Sequence, residues 1–325
     1  MKKNQKQKTR RMKQKNNKTH KNKKHYKSTS PFLQPSQQPD KSGKFPKPLQ
    51  CSPNPKKMDF TCYSEMDLYK LRDLWNVRHP DAQIKTNDLK TIWTLLQENL
   101  QNVCDKESCW LNQKFVDVKT SKALSESFAP VAPASWKKKP TEWLSSTDIL
   151  KVMKQYEKAY KCFEFMGPSP IDYDTKQMYG ECVWQELCEF NLQEQINKGK
   201  TKIGVSFNLD PHYKGGSHWV SMFINIKKRT IFYFDSAGEK IPAQIMKFAN
   251  TIMSQGKSLG MTFKFDQNHP VEHQYGNTEC GIYSLFFIAH MLEDKITSHY
   301  LKTHVLKDKY MQNFRKVYFN HGKLF

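Results

Sequence analysis

The sequence predicts an α+β protein with a helical first part and a later part in which strands precede one buried helix. Apolar residues recur at every second position, the period of a β-strand, in the segments 203–207, 218–226 and 231–235. Only about three residues separate the last two segments, which favours a hairpin. From Cys280 to about Leu292 the chain is apolar on nearly every side, which is typical of a helix buried within the fold.

Helical periodicity predicts most of the other elements. In the first part of the chain, spaced leucines predict one helix over about 68–75 and a second over 89–100, which begins after Asn87 as N-cap. Further along, the patterns predict a helix over 149–160 that is capped by Ser145 or Ser146 and ends before Gly167, a helix over about 183–197, and a fourth strand over 261–265.

Composition divides the chain into three parts. Residues 1–57 hold 18 lysines and arginines against one acidic residue, Asp40, and almost no large apolar residues. Such a segment buries too little apolar surface to offset its ordering entropy, so we predict that 1–57 is a disordered basic tail. Residues 58–140 are predicted to form a helical accessory domain that ends in a proline- and alanine-rich linker. Residues 141–325 are predicted to form the second domain, with all the predicted strands and a C-terminal extension.

The positive charge belongs mostly to the predicted tail. Of the net charge of +22, residues 1–57 contribute +17 and the rest of the chain only +5. A basic tail suits nonspecific contact with nucleic acid, a nuclear or nucleolar address, or simple solubilisation, and the pattern leaves these three open.

The remaining composition indicates an intracellular protein. The start of the chain is polar and charged without an apolar signal-peptide core, and no apolar run of about 18 residues occurs, so we expect no membrane partner. The eight cysteines do not resemble the dense disulfide framework of a small secreted domain. A reducing compartment is therefore expected, in which a free thiolate survives.

Four side chains of the second domain supply the parts of a thiol-based site. Cys280 opens the buried helix, and a helix N-terminus beside a basic group favours the thiolate that attacks carbonyl carbons. His218 is the predicted base, and Asp235 is predicted to fix its tautomer from a near-diagonal position across the hairpin. Gln274, on the loop before Cys280, and the backbone N–H of Cys280 are predicted to stabilise a developing oxyanion.

Each of these residues alone has an ordinary structural interpretation, and their conjunction favours chemistry. His269 and His273 lie closer to Cys280 in sequence and are rival bases, but they lack the strand context of His218. The spacing of Cys104 and Cys109 lacks a second Cys/His pair, so we predict no zinc site and no other cofactor.

Several motifs together closely resemble the SUMO-protease/adenovirus-protease group of cysteine peptidases. They are His218-Trp219, Asp235-Ser236, Gln274 with Cys280-Gly281-Ile282-Tyr283 six residues later, and Trp143-Leu144-Ser145-Ser146-Thr147. The order His, Asp, Cys and the spacing of 17 residues from His to Asp are those of the group, and the resemblance covers about residues 141–293. Cys182-Val183-Trp184 is similar to an element of papain-like enzymes, but it precedes His218 too closely, and we interpret Cys182 as a packing residue.

The resemblance implies a mixed β-sheet packed around a buried helix that carries the catalytic cysteine. It makes Cys280 the nucleophile, His218 the general base, Asp235 the residue that orients the base, and Gln274 an oxyanion donor. Trp143 and Trp219 would wall a narrow tunnel that admits only small residues before the scissile bond, often Gly-Gly.

The accessory domain is most similar in layout to the polyprotein-processing protease of large DNA viruses such as African swine fever virus, which carries a helical arm. This layout favours an endopeptidase that cleaves structural polyproteins after Gly-Gly-X-type sites during virion maturation, in the host cytoplasm or the virion. A SUMO or ubiquitin-like deconjugating protease is the alternative. An inactive nucleic-acid-binding scaffold is disfavoured, because all four site residues are intact.

Overall fold

The computed structural model describes residues 50–56 and 58–320, so most of the predicted tail lies outside the described residues. The described helices are α1 (Glu65–Arg78), α2 (Leu89–Leu100), α3 (Val118–Leu124), α4 (Ser146–Ala159), α5 (Gln185–Cys188), α6 (Leu192–Asn197), α7 (Ala243–Ser258), α8 (Cys280–Leu292), α9 (Ser298–Thr303) and α10 (Asp308–Tyr318). The strands are β1 (Phe163–Pro170), β2 (Lys202–Asn208), β3 (Trp219–Asn225), β4 (Thr230–Phe234) and β5 (Lys264–Gln267). No helix in this part of the chain is long and apolar enough to cross a bilayer.

The five strands form one mixed sheet in the order β1-β2-β3-β4-β5. The outer pairs β1–β2 and β4–β5 are parallel, and the inner pairs β2–β3 and β3–β4 are antiparallel. The hairpin between β3 and β4 pairs Ser221 with Phe234 and Asn225 with Thr230, as the short connection predicted.

Helices cover both faces of this sheet. On one face, phenylalanines such as Phe223 and Phe234 pack against α8 and α4, and the rings of Phe234 and Phe287 stack with centroids 5.0 Å apart. On the other face, Val220, Met222 and their neighbours pack against α7. Since α8 lies between the sheet and helices α4 and α10, all of its residues except Met291 are buried. The predicted mixed sheet around a buried helix is confirmed.

Strand β1 has no counterpart among the sequence predictions. Its centre holds Gly167 and Pro168, which the sequence predicted only as the point before which the preceding helix ends. Proline cannot donate to a sheet ladder, so the pair did not indicate a strand. The strand accommodates them at the sheet edge, where its register with β2 shifts between Met166 and Ser169.

Three other predicted elements differ in detail. The helix predicted over 183–197 is two short helices, α5 and α6, because the side chain of Asn191 accepts from Glu194 N and starts a new helix. The N-cap of α2 is Asp88 rather than Asn87, and its carboxylate accepts from Thr91 N. The strand predicted over 261–265 runs over Lys264–Gln267 instead, where the backbone pairs with β4.

The part of the chain before the linker, residues 50–128 and here called the arm, has its own core. Helices α1 and α2 contribute Leu71 and Ile92 to it, and a buried carboxylate, Glu107, accepts from Cys62 N at 2.9 Å. Residues 50–56 were predicted to belong to the disordered tail. They form the start of the arm instead, where Cys51 and Phe128 pair in an isolated antiparallel β-bridge.

Six of the eight cysteines are paired in disulfides, unlike the sequence expectation. The pairs are Cys51–Cys62, Cys104–Cys109 and Cys182–Cys188, with separations of 11, 5 and 6 residues along the chain. Cys162 and Cys280 carry free thiols. All three bridges are local, so they close short loops and leave the Cys280 thiol free.

Gly204 on β2 gives α8 the room to pack on the sheet. A Cβ at this position would lie 2.6 Å from Ile288 Cγ2 and 3.0 Å from Phe163 Cζ. We therefore expect Gly204→Ala to lower the free energy of unfolding by about 1–3 kcal/mol, measured by urea denaturation. The control Gly215→Ala, where no atom lies within 4 Å of the added Cβ, should change it by no more than about 0.5 kcal/mol. Equal stability of the two variants would contradict this packing.

Candidate active site

Cys280 is the first residue of α8, and it lines a cleft that is also lined by His218 and Trp143. The residue is buried, and the adjacent Gly281 lets the start of the helix approach the segment around Leu144. A Cβ at Gly281 would lie 2.9 Å from Leu144 Cβ, so any larger residue there would push this segment away. The free thiol thus sits at the positive end of a helix dipole, which favours negative charge on sulfur.

His218 and Asp235 meet across the β3–β4 hairpin. Extending the register by one pair places Asp235 opposite Val220, so His218 is its diagonal neighbour, as the sequence predicted. His218 Nε2 lies 2.7 Å from Asp235 Oδ1. This leaves Nδ1 as the ring nitrogen for the Cys280 thiol, which interacts with the imidazole.

The proton of His218 is held by its neighbours. Burial lowers the pKa of His218, but the hydrogen bonds and charges of Asp235 and Cys280 outweigh burial and raise that pKa from 6.5 to about 10. An imidazolium therefore persists through neutral pH. A positive charge beside a cysteine stabilises the thiolate, so the arrangement favours the reactive form of sulfur.

Asp235 is itself fixed by its neighbours, and one of them was not identified from the sequence. Its side chain is 1% exposed, and Oδ1 also accepts from Ala237 N at 2.8 Å. The buried amide of Asn268 accepts from Asp235 N at 2.9 Å and donates to Asp235 O at 2.7 Å. In the sequence, Asn268 is simply a polar residue that follows a strand, and no motif indicates a role for it.

Gln274 is held beside the same turn by Ser236. The backbone N–H of Gln274 donates to Ser236 O at 2.8 Å, and Ser236 Oγ donates to Gln274 Oε1 at 2.7 Å. Gln274 Nε2 donates one hydrogen to Gly276 O at 3.0 Å, which leaves its second hydrogen for another acceptor. Asp235 therefore orients the imidazole of His218, and the next residue, Ser236, orients the amide of Gln274.

Trp143 and Trp219 both line the cleft that leads to Cys280. Its volume is about 800 Å³, and its walls include Trp184 as well as His218. Trp219 is 8% exposed and donates from Nε1 to Leu144 O at 2.9 Å, whereas Trp143 is 47% exposed. Ser145 is the N-cap of α4, so Trp143 precedes a fixed helix start.

The rival residues lie elsewhere. His273 is buried, its Nδ1 accepts from Leu306 N at 3.1 Å, and burial lowers its pKa to about 4. His269 lies 2.7 Å from Gly238 O through Nδ1. Cys182 is bonded to Cys188. The structure therefore brings together Cys280, His218 and Asp235, and it holds Gln274 on Ser236, the residue after Asp235. It does not add the rivals to this group.

Comparison with known proteins identifies the class of this site. The model of the Ulp1 protease family, C-terminal catalytic domain, matches residues 153–321, just over half of the chain. The chain belongs to this family, and it is a cysteine peptidase. The match begins ten residues after Trp143 and includes α10, which lies in the predicted C-terminal extension.

Several proteins similar in sequence are viral proteases. A putative thiol protease of Acanthamoeba polyphaga mimivirus is 28% identical over 257 residues, which cover 77% of this chain and 82% of that protein. A cysteine protease of African swine fever virus is 25% identical over 253 residues, which cover 74% of this chain and 92% of that protein; the same protease from another isolate is named a SUMO-1 cysteine protease. The crystal structure of an African swine fever virus protease superposes with a TM-score of 0.62 at 21% identity, over 84% of this chain and 96% of that one, and this likeness shows the fold.

The charge of His218 is open to direct test. Asp235 raises the pKa of His218, so Asp235→Asn should lower it and move the loss of the ring proton from about pH 10 toward neutral pH. An NMR titration of the ring protons measures the midpoint. The control Asp172→Asn removes the partner of His212, 2.7 Å away, and should leave the His218 titration unchanged. An unchanged midpoint in Asp235→Asn would mean that another group holds the proton.

Proposed function

We propose that this chain is an endopeptidase in which Cys280 is the nucleophile, His218 the general base and acid, and Asp235 the residue that orients His218. The observation that carries the proposal is the imidazole of His218 between the buried carboxylate of Asp235 and a free thiol at a helix start. Gln274 is the proposed side-chain donor to the oxyanion.

The proposed reaction proceeds in two halves. The Cys280 thiolate attacks the peptide carbonyl carbon, and the electron pair of the C=O bond moves to oxygen, where Gln274 Nε2 and the Cys280 N–H stabilise it. The His218 imidazolium gives its proton to the leaving amine, which leaves a thioester. The neutral His218 then takes a proton from water, and the hydroxide attacks the thioester carbonyl. The C–S bond breaks, the Cys280 sulfur leaves as the thiolate, and the carboxylic acid product loses its proton to the solvent as it is released. Asp235 stabilises the imidazolium whenever it forms.

The cleft supports specificity for glycine before the scissile bond. Trp219 is fixed by its hydrogen bond to Leu144 O, and Trp143 stands on the same segment at the rim. Two indole faces can clamp a glycine backbone and leave no room for a Cβ. We therefore infer that the substrate is a protein with a Gly-Gly-X site.

Polyprotein cleavage is the favoured biological role, and deconjugation of a SUMO-like modifier is the second candidate. The layout with an arm before the catalytic domain, and viral proteases as relatives, support the first. The name SUMO-1 cysteine protease of one relative supports the second. The proposed setting for polyprotein cleavage is virion maturation, in the host cytoplasm or the virion.

The nucleophile can be identified by labelling. Iodoacetamide should modify Cys280 faster than the other free thiol, Cys162, because Cys280 interacts with the His218 imidazole, which assists nucleophilic attack by sulfur. Mass spectrometry of peptides measures the two rates, and Cys280→Ala should abolish peptide hydrolysis while Cys162→Ala leaves it intact. Hydrolysis that survives Cys280→Ala would refute the assignment.

Substrate choice separates the two candidate roles. We expect a short peptide with Gly-Gly before the scissile bond to be cleaved about as well as a SUMO fusion, since a polyprotein protease binds an extended segment. Replacing the second glycine from the bond by alanine should lower kcat/KM by at least about tenfold, because its Cβ meets the indoles. A SUMO fusion cleaved far better than the peptide would favour deconjugation, and unimpaired cleavage of the alanine peptide would exclude the tryptophan clamp.

A further inference from the structure

Helix α10 contacts the loop that joins the proposed oxyanion donor to the nucleophile. This loop, residues 275–279, starts directly after Gln274 and ends directly before Cys280. Its residues Tyr275, Gly276 and Asn277 are exposed, and glycine adds backbone freedom. Gln274, directly before the loop, and Glu279, its last residue, are buried, so the loop leaves the core and returns to it within a few residues. Two side chains of α10, one near each end of the helix, hold it.

Asp308, the first residue of α10, holds the outer part of the loop. One carboxylate oxygen, Oδ2, accepts from Tyr275 N at 3.0 Å and from Gly276 N at 2.8 Å. The other, Oδ1, accepts from the Tyr283 hydroxyl of α8 at 3.0 Å. Gly276 is also the residue whose carbonyl accepts from Gln274 Nε2. The position of the proposed oxyanion donor thus depends on a backbone that Asp308 fixes.

Arg315, two turns further along α10, holds the inner part of the loop. Its Nε donates to Glu279 Oε2 at 2.9 Å, and one terminal nitrogen donates to Thr278 O at 3.2 Å. The other terminal nitrogen donates to Glu142 O at 2.8 Å, beside Trp143. The side chains of Arg315 and Glu279 are 5% and 2% exposed, so this is a buried ion pair directly before the nucleophile.

A buried ion pair contributes little to stability compared with apolar residues of similar size, because both charges lose their hydration. Its role here is to position groups, because the planar guanidinium of Arg315 donates to several acceptors at once and fixes their relative positions. Here it fixes the residue before Cys280, the residue before that, and the linker beside Trp143. Core packing fixes the other side of α10, where the ring centroids of Phe314 and Phe286 lie 4.8 Å apart.

We propose that Asp308 and Arg315 are positioning residues, which hold the loop so that Gln274 Nε2 and the Cys280 N–H point at one carbonyl oxygen. The inference rests on the proposed roles of Gln274 and Cys280. Donors in an oxyanion site stabilise the transition state only when they are held in place before the reaction. Without its anchors, the exposed loop would sample other conformations, and the two donors would no longer converge.

Variants of the full chain test the two anchors. Asp308→Ala removes the outer anchor, and the Tyr283 hydroxyl keeps its acceptors on His273 and Leu306. The double variant Glu279→Met/Arg315→Met removes both buried charges together, so neither is left unpaired. Lys316→Met is the matched control, because Lys316 is the exposed neighbour of Arg315 on the same helix.

Two probes separate oxyanion positioning from damage to the nucleophile. The Cys280 thiolate adds to the carbonyl carbon of a peptide aldehyde ending in Gly-Gly, and the C=O electron pair moves to an oxygen that occupies the oxyanion site. Iodoacetamide alkylates the same sulfur without an oxyanion. For both anchor variants we expect kcat on a Gly-Gly-X peptide and affinity for the aldehyde to fall about 10- to 100-fold. KM and the alkylation rate should change less than about threefold, and Lys316→Met should match the wild type.

Each other outcome is decisive. Wild-type kcat in folded Asp308→Ala would overturn the inference, and so would an equal loss of alkylation and aldehyde affinity, because the nucleophile itself would then be damaged. If the double variant does not fold, Arg315→Lys replaces it: this variant keeps the charge but not the three-way geometry, and wild-type kcat there would reject the inner anchor. Cleavage by Cys280→Ala would refute the proposed function, whereas an inactive Cys280→Ala beside a fully active Asp308→Ala would refute only this inference.

Discussion

The burial of α8 is the constraint on which the rest of the site depends. Because α8 carries Cys280 at its first position and is buried almost throughout, the packing of the whole domain sets the position of the sulfur. Two close approaches make this packing possible, at Gly204 on β2 and at Gly281 in the first turn of the helix. A close-packed interior transmits small displacements. Changes in the core around α8 therefore reach the reactive group although they lie far from the cleft.

The turn after β4 is the second organising feature, because it serves the imidazole and the amide at once. Asp235 contacts His218, and the next residue, Ser236, contacts Gln274. Asn268, the residue after β5, holds the backbone of the turn. The imidazole of His218 and the amide of Gln274 are thus both held by one short stretch of backbone, residues 235–236, and not by separate loops. Nucleophilic catalysis needs both groups aligned on one carbonyl, and a shared support keeps their separation constant.

Much of this arrangement follows from local patterns, and the rest depends on contacts between distant segments. The alternation of apolar and polar residues predicted β2, β3 and β4. The short connection between β3 and β4 predicted that His218 and Asp235 are diagonal neighbours. Both patterns can be recognised because each lies within a few consecutive residues. Strand β1 escaped prediction since Gly167 and Pro168 mark turns locally and only the sheet edge accommodates them. The disulfide pairs are local, but the spacing of eight cysteines does not by itself indicate which of them bond. Nothing in the sequence distinguishes Arg315 among 53 lysines and arginines, because its importance comes from contacts 36 and 173 residues away.

The linker between the arm and the catalytic domain, residues 129–145, also forms part of the cleft wall. The cleft walls include Pro133, Ser135 and Trp143 of this linker, but no residue of the arm core. The linker is tied at Ala132 N to Asn320 O at 3.0 Å, and at Glu142 O to Arg315. The arm also contacts the catalytic domain directly, where Gln155 Nε2 of α4 donates to Phe128 O at 2.9 Å. Helix α10 thus contacts both the loop before Cys280, through Asp308 and Arg315, and the cleft wall that carries Trp143, through the bond from Arg315 to Glu142 O.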